Sequence, residues 1–210
     1  MPQKVELKPR IVPAQKRAEK TVKHILDVSA DLLEEVGIDN FNTNLLAERA
    51  NIRVATVYRY FPNKLAILSA LIQNWLDLVV TSMTFTSDIS GSKQNWREYI
   101  EGIIDNYAEI VLNQRGHLAI RRAVQAAPEL VQIEARMIRK LSVNIVNTLE
   151  TLGFEHPSHQ MYIFVELFLT TTAQAVDMAV IKGKKKKEFL PEIIAETKLL
   201  QTSYLANYLD

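Results

Sequence analysis

Arg53, Ala55, Thr56, Arg59 and Tyr60 are spaced to share one face of a short helix, with Tyr58 at its edge and Lys64 just past its end. Such a face suits nucleic acid. Arginine, threonine and tyrosine supply donors for phosphates and base edges, and alanine lets the backbone come close to the bases. Arg53 and Arg59 are candidates for base readout, because one guanidinium can bond two acceptors on guanine. Lys64 and the hydroxyls suit phosphates. Val54 completes the set on this helix, and Asn42, Thr43 and Asn44 join it from the start of the preceding one. Catalytic chemistry finds no comparable set. His156 and His159 are separated by Pro157, and His24 and His117 stand alone, so surface histidines are the expectation. There is no cysteine and, with six glycines, no Gly-rich phosphate loop. No metal, no cofactor and no enzymatic activity are expected.

The elements that position this face can be read locally. Leu45, Leu46 and Ala50 lie at helical spacing, so Asn42 to Ala50 predicts a helix of about two turns. Asn42 is a suitable N-cap, since its oxygen accepts from first-turn amides. Ala47 is small enough to let a second helix cross closely. Asn51 tolerates the positive φ that a tight helix-to-helix turn often requires. Ile52, Val57 and Phe61 resume the apolar spacing until Pro62 stops it. Upstream, Ile25, Val28, Leu32, Leu33 and Val36 form a stripe on a helix from about Ala14, ended by Gly37. With Phe41 these residues predict three helices around one small core, the pattern of a helix-turn-helix.

The stretch A-T-V-Y-R-Y-F-P-N-K, Ala55 to Lys64, closely resembles the recognition-helix segment of the TetR family of bacterial transcription regulators. T-N-L-L-A-E-R-A, Thr43 to Ala50, resembles that family's preceding helix. The resemblance in motif runs from about His24 to Leu71; beyond it, only length and helical organisation are similar. The chain departs from the pattern twice. Asn51 stands where glycine is common, which preserves the turn. Arg53 stands where a capping serine is common. Arginine cannot cap, and its charge at the positive end of a helix costs about 0.3–1 kcal/mol. The lost cap costs about 1 kcal/mol more. A locally unfavourable residue is a candidate for function, and DNA nearby would offset both costs.

The rest of the chain predicts further helices and no strand. Asn63 caps a fourth helix running to about Thr84, with Leu65, Leu68, Leu71, Ile72, Trp75, Leu76 and Val79 apolar. Residues 85–93 read as a loop. Helices follow over about 94–113, 118–126, 128–152, 158–181 and 191–209. The expected fold is all-α, about nine helices: an N-terminal three-helix helix-turn-helix domain over 14–62, and a linking helix with an antiparallel helical bundle over 63–210.

Charge agrees with that division. Residues 1–70 hold 11 Lys/Arg against 8 Asp/Glu, a net of +3; residues 71–210 hold 14 against 16, a net of −2. Residues 1–13 are expected to lack fixed structure. The basic arm over residues 1–24 could follow phosphates if its neighbour binds DNA. Lys184 to Lys187 read as a solvated turn.

Met161 to Ile181 is apolar on most sides and includes Glu166 and Asp177, which favours a buried helix over a membrane span. A second copy of the chain could cover its outer side, with Val165, Phe168, Thr172 and Val176 at the interface. By resemblance, the last two helices are where the family dimerises. Resemblance also implies a ligand-sensing C-terminal domain. Trp75, Trp96, Tyr99, Ile103, Tyr107, Met137, Phe164 and Phe168 are the candidate lining, with Arg121 and Arg122 more simply a salt-bridged face. The chain carries no apolar N-terminal core of a signal peptide. The expected function is a cytoplasmic, homodimeric, sequence-specific regulator. In this reading it is a repressor released from a palindromic operator in double-stranded DNA by a small apolar or amphipathic effector, with no membrane partner. A DNA-binding dimer controlled by a protein partner, and a helical enzyme or scaffold, are the alternatives.

Overall fold

The computed structural model describes residues 6–11, 15–85, 96–154 and 158–207. Every regular element among them is a helix: α1 (Lys16–Asn40), α2 (Thr43–Arg49), α3 (Val54–Tyr60), α4 (Lys64–Phe85), α5 (Trp96–Asn113), α6 (His117–Ala126), α7 (Pro128–Thr151), α8 (Ser158–Gly183) and α9 (Phe189–Ala206). Most of the expected loop over 85–93 lies outside the described residues, as does His156.

Packing separates the chain into two compact units. The first is drawn from Met1–Leu76 and Gln114–Ala135, the second from Asp77–Asn113 and Arg136–Asp210. These units do not follow a 62/63 boundary. The first part of α4, all of α6 and the start of α7 pack with the helix-turn-helix. The cause is apolar burial: Ala66, Ile67, Leu68, Leu71 and Ile72 of α4 and Ile120, Ala123 and Val124 of α6 are all buried. Full burial of one such leucine or isoleucine stabilises by about 1.5–3 kcal/mol.

In the first unit, α1 supplies buried Ile25, Leu26, Ala30, Leu32 and Leu33, joined by Phe41, Leu46, Val57 and Phe61. Val28 and Val36 of the α1 stripe are only half-buried, as are Leu45, Ile52 and Leu65, so the core is narrower than the apolar spacing predicts. Gly37 breaks α1, with φ 70° and ψ 173°, a region essentially restricted to glycine. A bidentate pair of Arg49 and Glu35, 2.7 Å on both arms, ties α2 to α1. Its hydrogen bonds and charge hold the Glu35 carboxyl below the ordinary glutamate value. The pair therefore stabilises the fold above that ordinary value and is lost as pH falls through the lowered one.

Gly116 precedes α6 at φ 67° and lies against α1, where a Cβ would sit 2.8 Å from the Ala30 carbonyl oxygen. His117 follows, buried and with its ring 5.4 Å from that of Trp75, not at the surface as expected. Arg121, also buried, pairs with Glu134 of α7, as a salt-bridged face requires.

The second unit packs α5, α8 and α9 with the later part of α7. Its core includes Ile100, Ile103, Ile104, Leu141, Ile145, Leu149, Phe164 and Phe168. Helix α9 starts at Phe189, ahead of the expected Pro191. Proline is tolerated there because amides of the first turn have no intrahelical acceptor.

Gly116→Ala should destabilise the fold by about 1–3 kcal/mol or more, through its left-handed φ and the Ala30 carbonyl. Gly183→Ala, helical and meeting only the Leu190 side chain at 3.4 Å, should be neutral or stabilising by up to about 1 kcal/mol. Urea denaturation of both variants checks the contrast.

Candidate nucleic-acid interface

The turn between α2 and α3 is built by short-range chemistry. The Asn42 side-chain oxygen accepts from the amides of Asn44 and Leu45 at 3.1 and 2.9 Å. Its side-chain nitrogen donates to the Asn40 carbonyl at 3.1 Å. Asn42 is thus committed to capping α2. Asn51 has φ 52°, the one positive φ outside glycine among the described residues. Its amide and that of Ile52 return to the carbonyls of Glu48 and Ala47, each at 3.0 Å. His24 of α1 braces the same corner. Its Nε2 lies 3.0 Å from the Ala50 carbonyl, and since a carbonyl only accepts, Nε2 carries the proton.

Arg53 is the N-cap residue of α3 and makes no side-chain cap. Arg53, Ala55, Tyr58 and Arg59 are exposed, and Val54 and Thr56 are half-buried. Neither Arg53 nor Arg59 meets a carboxylate among the described residues, unlike Arg49, which is paired with Glu35.

Tyr60 corrects the sequence expectation. It is 5% exposed, so it belongs to the core and not to the outer face. It follows the anchor Val57 by three residues, which places both on one side of a helix. The Arg59 guanidinium lies 5.8 Å from its ring centroid. Tyr58, expected at the edge, is 40% exposed. Its hydroxyl lies 3.0 Å from that of Thr43, which is itself buried. Two hydroxyls sharing one bond leave one proton over, on whichever of the two accepts. Asn44 is exposed beside them.

Lys64 is half-buried and donates to the Ile38 carbonyl at 3.3 Å, using one of its three ammonium protons. Asn63 caps α4, accepting from the Ala66 amide at 2.9 Å.

Residues 6–11 are not the structureless arm expected from the prolines. The Arg10 amide donates to the Tyr60 carbonyl at 2.8 Å, and its guanidinium to the Tyr58 carbonyl at 3.1 Å. Asn63 donates to the Glu6 carbonyl at 2.9 Å. No sequence signal links these residues, because the partners stand about fifty positions apart and the bonds go to backbone.

The candidate effector lining divides. Trp75 falls in the first unit, against His117. Trp96, Tyr99, Ile103, Tyr107, Met137, Phe164 and Phe168 fall in the second. There Phe164 stacks with Phe168 and with Tyr204, centroids 6.0 and 5.8 Å apart, while half-buried Trp96 meets the edge of Phe154 at 5.8 Å. Met137 is half-buried. Burial pushes the Tyr99 hydroxyl above its ordinary pKa, and a hydrogen bond with Thr148 pulls against that shift. The hydroxyl of Thr172, a residue 3% exposed, has no hydrogen-bond partner among the described residues.

The residues expected to form an interface with a second copy also need correction. Val165, Phe168, Thr172 and Val176 are all buried within their own chain. Helix α8 is apolar on more than one side, so its sequence gives no phase. The stripe that remains exposed is Ile163, Leu167, Met178 and Ile181, accompanied by Leu199 and Leu200 of α9. By length and composition alone, α4 and α8 are both apolar enough to cross a membrane; α8 carries Glu166 and Asp177.

Two family models match the chain, one in each half. The family model described as bacterial regulatory proteins, tetR family, matches residues 25–71. That described as tetracyclin repressor-like, C-terminal domain, matches residues 95–205. The chain is 27% identical over 114 residues to the tetracycline repressor protein class A from transposon 1721 of Escherichia coli, covering 54% of this chain and 50% of that one. It is 42% identical over 52 residues to the uncharacterized HTH-type transcriptional regulator YdeS of Bacillus subtilis (strain 168), covering 25% and 26% respectively. The matches thus span half or less of these relatives' length. Among solved structures, a TetR-family transcriptional regulator from Streptomyces coelicolor has the same fold, with a TM-score of 0.67 at 24% identity, over 89% of this chain and 98% of that one.

The different placement of the two tyrosines is testable by mutation. Tyr60→Ala should destabilise the fold by about 3–5 kcal/mol, as large-to-small changes in a core do. Tyr58→Ala should cost less than about 1.5 kcal/mol, the worth of one hydrogen bond. Thermal denaturation of the two variants measures the difference.

Proposed function

Since this chain belongs to the tetR family of bacterial regulatory proteins, we propose that it is a sequence-specific DNA-binding transcription regulator, acting as a homodimeric repressor. The carrying observation is α3. This short helix and its N-cap turn out two arginines with no carboxylate partner among the described residues, and Ala55 between them leaves its backbone open to approach. On this reading, residues 14–62 act as the reading domain and residues 63–210 as the linking, sensing and dimerising part. Two copies of α3 enter successive major grooves of a pseudo-palindromic operator, about 34–36 Å apart. Arg53 and Arg59 read bases. The spare proton of the Thr43–Tyr58 pair and the remaining protons of Lys64 hold phosphates. Asn42 acts indirectly, through its cap.

Dimerisation through α8 and α9 is supported by the exposed apolar stripe, in which Leu167 is 52% and Leu200 is 64% exposed. Covering such a stripe with the same stripe of a second copy satisfies both chains at once. The second unit is the proposed sensor of a small apolar or amphipathic effector. Its aromatic interior suits apolar surface, and the unpartnered Thr172 hydroxyl offers one polar contact. Release from DNA requires the effector to bind the non-reading state more tightly. A cytoplasmic location and a regulatory, non-enzymatic role accord with this reading.

Arg53→Ala should weaken binding to the preferred duplex by roughly 1–3 kcal/mol per half-site and relax preference at one base pair. It should also slightly stabilise the free protein, because a cation leaves the positive end of α3. Lys64→Ala should instead weaken binding to all duplexes alike and lower the salt slope by about 1. Affinity titrations at several salt concentrations, with melting temperatures alongside, check all three. If Arg53→Ala and Arg53→Ser both bind as the wild type does, α3 does not read DNA through Arg53.

Leu167→Arg and Leu200→Arg should leave each chain folded and produce monomers in sedimentation. Phe168→Arg should disrupt folding instead, because the charge would be buried without a partner. A wild-type protein that sediments as a stable monomer contradicts the dimer.

A further inference from the structure

A seven-residue helix exposes an end problem that Arg10 solves. The last four carbonyls of α3, those of Val57 to Tyr60, lack acceptable partners within the helix. The Phe61 amide takes the Val57 carbonyl at 2.9 Å. Arg10 takes two more, the Tyr60 carbonyl through its amide at 2.8 Å and the Tyr58 carbonyl through its guanidinium at 3.1 Å. It also sets a positive charge at the negative end of the helix, where cations stabilise. Four residues earlier, the Glu6 carbonyl is held by Asn63 at the start of α4. The segment over 6–11 is therefore bonded to both sides of the α3–α4 junction. At the opposite end, α3 has no side-chain cap.

We propose that Arg10 is a positioning residue for DNA recognition: its bonds to the Tyr58 and Tyr60 carbonyls fix the last turn of α3, and with it the Tyr58 and Arg59 side chains. This rests on the reading of α3 as the DNA-reading helix. It differs from the simpler role of a basic arm, in which Arg10 would only meet phosphate. A phosphate contact carries no sequence information and adds to the salt slope, whereas a positioning contact acts on discrimination.

The test uses the full chain and the variants Arg10→Ala and Arg10→Gln. Glutamine can still donate to a carbonyl but carries no charge. The DNA probes are a duplex enriched by the wild type from a random-sequence library and a scrambled duplex of equal length. In the free protein, hydrogen exchange over residues 54–60 should quicken by about fivefold in Arg10→Ala, with residues 25–33 unchanged. Affinity for the enriched duplex should fall by about tenfold, and for the scrambled one by less than about twofold. Arg10→Gln should recover most of both losses. Equal loss on the two duplexes, with a salt slope lower by about 1 per protomer and no rescue by glutamine, makes Arg10 a phosphate contact and overturns the proposal. Unchanged exchange and affinity overturn it as well. A library that yields no enriched duplex overturns the DNA-binding reading and this role with it; the exchange measurement then shows separately whether Arg10 holds the helix.

Discussion

Helices much shorter than about 12–15 residues do not hold their shape alone in water, and α3 has seven. It begins on an arginine that makes no cap and puts its charge at the unfavourable end. The surrounding structure compensates for that weakness. Val57 and Phe61 anchor one side in the core, Tyr60 joins them, and Asn51 sets the entry angle through its positive φ. Asn42 secures the helix before it and Asn63 the helix after it. Arg10 closes the last turn. With these constraints in place, the outer face is left to residues that contribute little to folding, which is what a reading surface needs.

The features legible in the sequence are those whose physics is local. A cap, a turn residue and a stop residue act within three or four positions, so Asn42, Asn51, Gly37 and Asn63 could be placed from residue type alone, and each makes the expected local conformation or bond. Residue type alone does not place Tyr60, because the helix has several apolar or aromatic residues and Val57 and Phe61 by themselves satisfy the anchoring pattern. In α8 the ambiguity is of the same kind and larger. A helix apolar on most sides carries no phase, and the residues expected at an outer interface are those its own chain buries. Gly116 and Arg10 escaped for a different reason. Their partners are the backbone of Ala30 and of Tyr58 and Tyr60, and backbone atoms leave no trace in residue type.

The two compact units also bear on the proposed control by a ligand. Helices α4 and α7 each contribute residues to both units. On the proposed reading, an effector in the second unit acts on the reading helix only so far as it prefers one arrangement of the chain over another. On that reading the buried Thr172 hydroxyl, unpartnered among the described residues, would give such preference a chemical handle, because a polar group without a partner is costly until something bonds it. The buried residues of the second unit are largely aromatic and aliphatic, which on the proposed reading suits a largely apolar molecule.

The central claim is that two copies of α3 read DNA together. Selection from a random-sequence duplex library, followed by hydroxyl-radical footprinting of the enriched duplex, tests it most directly. The account predicts an enriched sequence with two inverted half-sites and two protected patches about 34–36 Å apart, one turn of the double helix. No enrichment over the starting library, or a single protected patch without an inverted repeat, would contradict it.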